Sequence, residues 1–330
     1  MYCSECISCS NGGLILLRAL ISSRTTFCCP VSRITSRMLS VALVFLFFCI
    51  SPVQAEPLRV TVVLSEEGGA YQEFSDLLRV KLQVSRFALN TVLVDQALAS
   101  SDLYIAVGMK AATELATRDV PVLSVLVPKA GYDKLPRGAN HRTTPPRSAI
   151  FLDQPMERQV AFLLAVLPDT RQVGVLYSTP PPELPNLRRL LADKNIRLHD
   201  RAVNGAQSLN DALESLLSES EVLFVLPDAG VYNAGTIRNI LLTSYRTQVP
   251  LIGISQAYVR AGALCAIYST PNQIAVQTAE VIRHFSESAM LPPGQYPKDF
   301  EVSVNVQVAK SLNIPIKDAD RLRDEIRRGQ

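Results

Sequence analysis

The sequence predicts an α/β protein of two lobes, each a parallel sheet covered by helices. Three observations carry that expectation. From Leu58 onward, short apolar runs rich in Val, Ile and Leu alternate with amphipathic segments. The runs are continuous in apolar character, as strands covered on both faces require. Residues 128–149, PKAGYDKLPRGANHRTTPPRSA, break this rhythm with proline, glycine and basic residues, as a surface connection between domains does.

Taken in order, the strand candidates before that break are LRVTVVL (58–64), TVLVD (91–95), LYIAVG (103–108) and VPVLSVLV (120–127). After it come SAIFLD (148–153), QVGVLYS (172–178), VLFVLPD (222–228), PLIGIS (250–255) and the late FEVSVN (300–305). Residues 156–167, 183–195 and 208–220 repeat apolar positions at helical spacing. Thr270, Pro271 and Gln273 spell a helix start, with a capping threonine, proline in the first turn and a glutamine that closes a capping box. That helix runs to about Ser288. The segment VQVAKSLN and the charged tail KDADRLRDEIRRG are read as two further helices.

The N-terminus reads as a leader. Residues 39–50, LSVALVFLFFCI, are a short apolar run behind Arg33 and Arg37, and SPVQA (51–55) ends it with small residues at Val53 and Ala55. Basic flank, short apolar core and small-residue exit describe a secretory signal peptide over residues 1–55, cleaved near Ala55. The core is too short to span a bilayer comfortably, which disfavours an anchor. Residues 1–37 are long and cysteine-rich for a signal, so translation is expected to start at or near Met38, or the leader is unusually long.

The first 55 residues hold four arginines and one glutamate, so the remaining chain carries 29 basic and 29 acidic residues. A neutral chain has no broad field for nucleic acid or an anionic membrane. Six of the seven cysteines lie in the first 49 residues, leaving Cys265 inside an apolar run as a small hydrophobe.

Signals for catalysis are weak. His141, His199 and His284 are widely separated, and neither a nucleophile elbow nor a phosphate-binding glycine loop appears. Glu66 and Glu67 are adjacent loop residues and read as solvated. No enzyme activity, cofactor or metal is expected. What remains is the set of strand C-terminal ends, where open parallel sheets bind ligands. The candidate ligand-binding residues there are Ser65, Glu66 and Tyr71 after the first strand; Met109, Lys110 and Ala111; Lys129; Ser178 and Thr179; Asp228, Tyr232 and Asn233; and Ser255, Gln256 and Tyr258. Helix N-termini would take a carboxylate, Asp228 an ammonium and the tyrosines an apolar body.

Five stretches add a resemblance: DLYIAVGMKAATELATRDVPVLSVLV, ERQVAFLLAVLPDTRQVGVLYS, EVLFVLPDAGVYNAG, VPLIGISQAYVRAGALCAIYSTPNQIAVQTAEVI and FEVSVNVQVAKSLNIPI. In this order they resemble the ABC-transporter substrate-binding proteins of the family with tryptophan- and phenylalanine-binding members. The resemblance implies a type I periplasmic-binding-protein fold, two Rossmann-like lobes joined by a hinge that the chain crosses three times, near residues 147–153, 266–270 and 297–305. Residues 56–149 with 270–297 would form lobe 1, and 150–269 with 298–330 lobe 2. It implies ligand contacts at Met109, Lys110, Ala111, Ala112, Ser178, Thr179, Asp228, Ser255 and Gln256. The implied setting is the periplasm, the partners a small polar or aromatic solute of amino-acid type and an ABC permease in the inner membrane, and the state a monomer. A non-transport module that senses ligand for a membrane kinase or receptor is the alternative.

One departure bears on the first lobe. Only QALASSD (96–102) separates TVLVD from LYIAVG, where members of that family place a helix. A parallel crossover wants about ten residues or more. The first lobe is therefore expected to be shortened, or its second strand irregular.

Overall fold

The computed structural model describes residues 56–83, 86–136, 145–203 and 206–329. The expected signal peptide, its cleavage site, the Met38 start and His141 lie outside the described residues. Among the described residues no helix is long and apolar enough to cross a membrane.

The first sheet has the order β2-β1-β3-β4-β5, with β1 Leu58–Leu64, β2 Phe87–Leu93, β3 Leu103–Val107, β4 Val122–Val127 and β5 Arg147–Phe151. All its pairings are parallel. β3 and β4 are buried at every position, which is why their sequence is continuously apolar. β2 starts four residues before the predicted TVLVD. It is an edge strand whose first half alternates half-buried and exposed residues, a pattern that a search for continuous apolar runs passes over.

Helix α1 (Gly69–Lys81) buries Phe74 and Leu78 on one face of this sheet, and α2 (Met109–Ala116) buries Ala111, Ala112 and Leu115 on the other. No helix lies between β2 and β3. Leu93 is level with Leu64, and Leu103 with Val60, so the chain must return four residues along β1 and pass over it. That path is about 13 Å back and about 10 Å sideways, which nine extended residues span easily but a helix with two turns does not fit. The crossover lies flat instead, held by Tyr104 Oη donating to Ala99 O (2.7 Å), Ser101 N donating to that hydroxyl (3.1 Å), and the Arg59–Asp102 pair (2.8 Å). Val94 and Leu98 pack where the helix would sit. The first lobe is shortened and its second strand is regular.

A short helix, α3 (Lys129–Tyr132), follows β4. The chain leaves this sheet after β5 and enters the second lobe through α4 (Met156–Val166). The second sheet has the order β11-β10-β9-β8-β6-β7, from β6 Gln172–Tyr177, β7 Arg197–Ala202, β8 Val222–Phe224, β9 Leu251–Gly253, β10 Cys265–Tyr268 and β11 Glu301–Val304. Helices α5 (Leu184–Ala192), α6 (Ala206–Ser218), α7 (Ile237–Arg246) and α8 (Gln256–Ala261) connect the first five of these strands. Cys265 is fully buried in this core.

From β10 the chain crosses back. Helix α9 (Pro271–Ser288) packs on α1 through Ile274, Val281, Ile282 and Phe285, opened by the predicted capping box between Thr270 and Gln273. Gln295 then bonds to Phe151 N and Ala149 O beside β5, and the chain crosses a third time into β11. β11 pairs antiparallel with β10, contrary to the all-parallel expectation. It re-enters at the hinge, where β10 ends, with Glu301 opposite Tyr268, and so must run the other way. Helices α10 (Val306–Ser311) and α11 (Ala319–Arg328) close the lobe.

The three crossings are joined by one buried polar network. Gln154 Nε2 donates to Ser269 Oγ (2.8 Å), which donates to Asp299 O (2.6 Å). Arg158 Nη1 donates to Gln154 Oε1 (2.8 Å) and to Pro297 O (2.9 Å), with its guanidinium 4.7 Å from the Phe300 ring centre.

Candidate functional site

The C-terminal strand ends of the first sheet carry the lobe 1 candidates. Ser65 Oγ donates to Val107 O (2.7 Å) and accepts the Ala111 amide (3.0 Å), so it caps α2 from the neighbouring strand. Gly108 makes this possible: its φ is +84°, and a Cβ there would stand 2.7 Å from Ser65 Oγ and from the Tyr71 ring. Tyr71 is half-buried over that turn, and burial, with Glu66 adding, pushes its phenol above the usual range. Ala111 is a buried core residue whose amide donates to Ser65 Oγ. Met109 packs under Gly131, and with Lys110, Val94, Asp95, Thr113 and Glu114 it borders a groove of about 600 Å³ beside the helix-free crossover. Glu66 is exposed.

Next to this edge the hinge contributes an aromatic wall. Tyr132 and Phe151 meet edge to face at 5.7 Å between ring centres, and Phe151 and Tyr296 at 5.4 Å. Gly294 lets the chain pass, since a Cβ there would be 2.8 Å from Phe151 Cζ. The Lys129 amide donates to Asp153 Oδ2 (2.6 Å), while its ammonium pairs with Asp133 and lies 6.0 Å from the Phe151 ring centre. The bond to Asp133 holds the Lys129 ammonium above its ordinary range. Burial pushes the Asp153 carboxyl up against the Lys129 and Asp153 amides that pull it down, with Glu183 of the second lobe adding to the rise. Burial raises the Tyr296 phenol, with the Lys129 charge opposing and the carboxylates of Asp153, Glu183 and Glu157 adding to the rise. Lys129 and Tyr132 from lobe 1 and Phe151, Asp153 and Tyr296 from the crossings thus stand together.

In lobe 2, Asp228 clasps two strand ends together. Its carboxylate accepts Ser178 N (2.6 Å), Ser178 Oγ (2.8 Å) and Gly230 N (2.8 Å). The oxygens expected to meet an ammonium are taken by the protein, because the turn after β6 presents the Ser178 amide and hydroxyl to them. Tyr232 also departs from expectation. Its side chain is buried in the lobe core with Leu176, Val231 and Ile240, and its hydroxyl has no hydrogen-bond partner among the described residues. Burial raises that phenol far above the usual range. Asn233 bonds to Ala229 O and Gly235 N and so shapes its own turn. Thr179 is exposed; Ser255 precedes α8, on which Gln256 accepts from Arg260. Tyr258 is half-buried against Gly253.

Tyr132, Phe151, Asp153, Glu183 and Tyr296 escaped the sequence reading. The signal for two of them, Phe151 and Asp153, was present, since residues 147–153 were expected to cross the hinge, and side chains at a crossing border the cleft. Glu183 carries no such mark in a helix start.

Two α/β lobes joined by three crossings define a type I periplasmic-binding fold. Residues 151–321, just over half of the chain, match the family described as ABC transporter substrate binding protein, and the chain belongs to that family. A curated relative, the Tyrosine-binding protein of Clostridioides difficile (strain R20291), is 19% identical over 219 residues, 63% of this chain and 61% of the relative. The chain thus spans about three fifths of that relative's length. Among solved structures, the ABC domain in complex with L-Trp from Streptococcus pneumonia aligns with TM-score 0.60 at 14% identity over 81% of this chain and 98% of that one. The ligand-free, open structure of a substrate binding protein with adhesive properties from Clostridium difficile aligns with TM-score 0.59 at 14% identity, over 79% and 96%. A conserved domain protein from Vibrio cholerae aligns at 0.57 and 19%, over 81% and 98%. At these identities the likeness is one of fold.

Proposed function

We propose that this is an extracytoplasmic solute-binding protein that encloses a small polar or aromatic solute of amino-acid size between its lobes and delivers it to an ABC permease. The observation that carries this is a pair of α/β lobes joined by three crossings that one buried network ties together, with the Tyr132, Phe151 and Tyr296 rings clustered at the hinge beside Lys129 and Asp153. A solute that touches groups from both lobes stabilises the closed arrangement over the open one by its differential affinity. The ligand contacts proposed are Ser65, Glu66, Tyr71, Met109, Lys110 and Lys129 from one side, and Ser178, Thr179, Ser255, Gln256 and Tyr258 from the other. The wall of Tyr132, Phe151 and Tyr296 lies between them. Small-angle X-ray scattering tests the proposal: a panel of amino acids and amines is expected to contain a solute that lowers the radius of gyration and raises the melting temperature together. A panel in which nothing does both would refute it.

A further inference from the structure

The charged tail of the sequence folds as α11, and part of its charge is turned inward. Asp318 caps the helix by accepting the Arg321 amide (2.9 Å), and Leu322 and Ile326 are buried in the core of lobe 2. Arg323 and Arg327, each one residue on from these, bind the third crossing. Arg323 Nη1 donates to Glu301 Oε2 (3.0 Å). Arg327 Nη2 lies 3.5 Å from Asp299 Oδ1, with its guanidinium 5.6 Å from the Phe300 ring centre.

Lobe 1 holds the same stretch through α9, where Gln273, Gln277 and Glu280 share one face. Gln277 Nε2 donates to Gln295 Oε1 (2.9 Å), Gln277 Oε1 accepts the Lys298 amide (3.0 Å), and Glu280 pairs with Lys298 (2.6 Å). Gln273 Nε2 donates to Glu301 Oε1 (3.0 Å). This amide cannot turn over, because its Oε1 accepts the Thr270 amide (2.9 Å) in the capping box. Lobe 1 therefore offers residue 301 a donor, and α11 offers it a second. A carboxylate satisfies both, one oxygen to each.

We infer that the C-terminal helix is a brace on the hinge: through Glu301, α11 fixes the start of α9 and so limits how far lobe 1 swings on lobe 2. This rests on the lobe motion proposed above. Glu301 is a positioning residue, since it acts on the cleft only through the elements it joins.

Exchanging the two partners tests the brace. Gln273→Glu keeps an acceptor for the Thr270 amide, since glutamate also closes a capping box, but sets a second carboxylate against Glu301. Adding Glu301→Gln restores both bonds, the new amide donating to the new carboxylate while its oxygen accepts from Arg323. Arg323→Met removes the α11 donor without touching lobe 1. Electron–electron resonance is measured on the full-length protein without solute, between spin labels on exposed positions of α1 and α5. One narrow interlobe distance is expected in the parent, its loss in Gln273→Glu and in Arg323→Met, and its return in the double variant, with the α11 amides protected from exchange throughout. A narrow distance that survives Gln273→Glu, or a double variant that fails to restore it, would overturn the brace. Broadening in Gln273→Glu that Arg323→Met does not share would confine the restraint to α9 and overturn the role of α11. Because these distances are read without solute, a brace that fails leaves interlobe solute binding standing. A solute panel that never compacts the protein removes closure by solute and leaves the distances to decide the brace.

Discussion

Asp153 is a carboxylate placed where burial works against its charge. Its folded-state pKa is raised, chiefly by burial and further by Glu183, with the Lys129 amide, its own amide and the Lys129 ammonium opposing. A group whose folded pKa lies above its unfolded value favours folding below the unfolded pKa, and that contribution is lost as pH rises through the folded one. At neutral pH the ionised Asp153 therefore costs the empty protein stability. Asp153→Asn keeps an acceptor for the Lys129 amide and removes the charge. It is expected to melt about 2–4 °C above the parent at pH 7 without solute, the scale of roughly 1 kcal/mol in a chain of this size, and the gap should close as pH falls below 4. A variant that melts lower at pH 7 would show that the bonds to Asp153 outweigh its burial. Other site residues show what could be read in advance. Turn chemistry placed Ser65, Lys129, Ser178 and Asp228 at strand ends. Their oxygens' partners stand 46 and 50 residues away for Ser65 and Asp228, so whether an atom was free for ligand depended on tertiary pairing that no local pattern encodes.

Elements were legible where one period dominates. The capping box at Thr270 and Gln273 formed as written, because its donors and acceptors are three residues apart. β11 was found as a strand but not as an antiparallel one, since direction is decided by where the chain re-enters. The β2–β3 crossover was noticed by its length alone, and its flat path follows from register. Its cohesion hangs on Tyr104, a buried residue whose hydroxyl both donates to Ala99 O and accepts from Ser101 N. Tyr104→Phe leaves both backbone groups without that partner, at a cost of about 1–3 kcal/mol if water does not reach them. Hydrogen exchange is expected to speed up in the crossover, at Ser101 first, while α9 and the second sheet keep their protection. Uniform loss across both lobes would mean that the crossover is not an independent local unit.

At the scale of the whole molecule, the proposed closure would turn on the three crossings, and these are not independent linkers. Gln154 in the first bonds to Ser269 in the second, Ser269 bonds to Asp299 in the third, and Arg158 ties Gln154 to Pro297. A buried network of this kind is cooperative: each partner fixes the geometry that the next requires. The crossings therefore bend together, and the lobes are expected to move along one path. Gln154→Ala removes the member that joins the first two crossings while Arg158 keeps its bond to Pro297. Its cost of about 1–3 kcal/mol should lower the melting temperature by several degrees. The informative readout is the spread of interlobe distances, measured by electron–electron resonance between spin labels on exposed positions of α1 and α5. With the network intact the solute-free distribution should be narrow, and in Gln154→Ala it should broaden, while saturating solute restores a single distance in both. A variant that loses stability with its distribution unchanged would show that the network only glues the hinge, and that the direction of closure is set by the facing lobe surfaces.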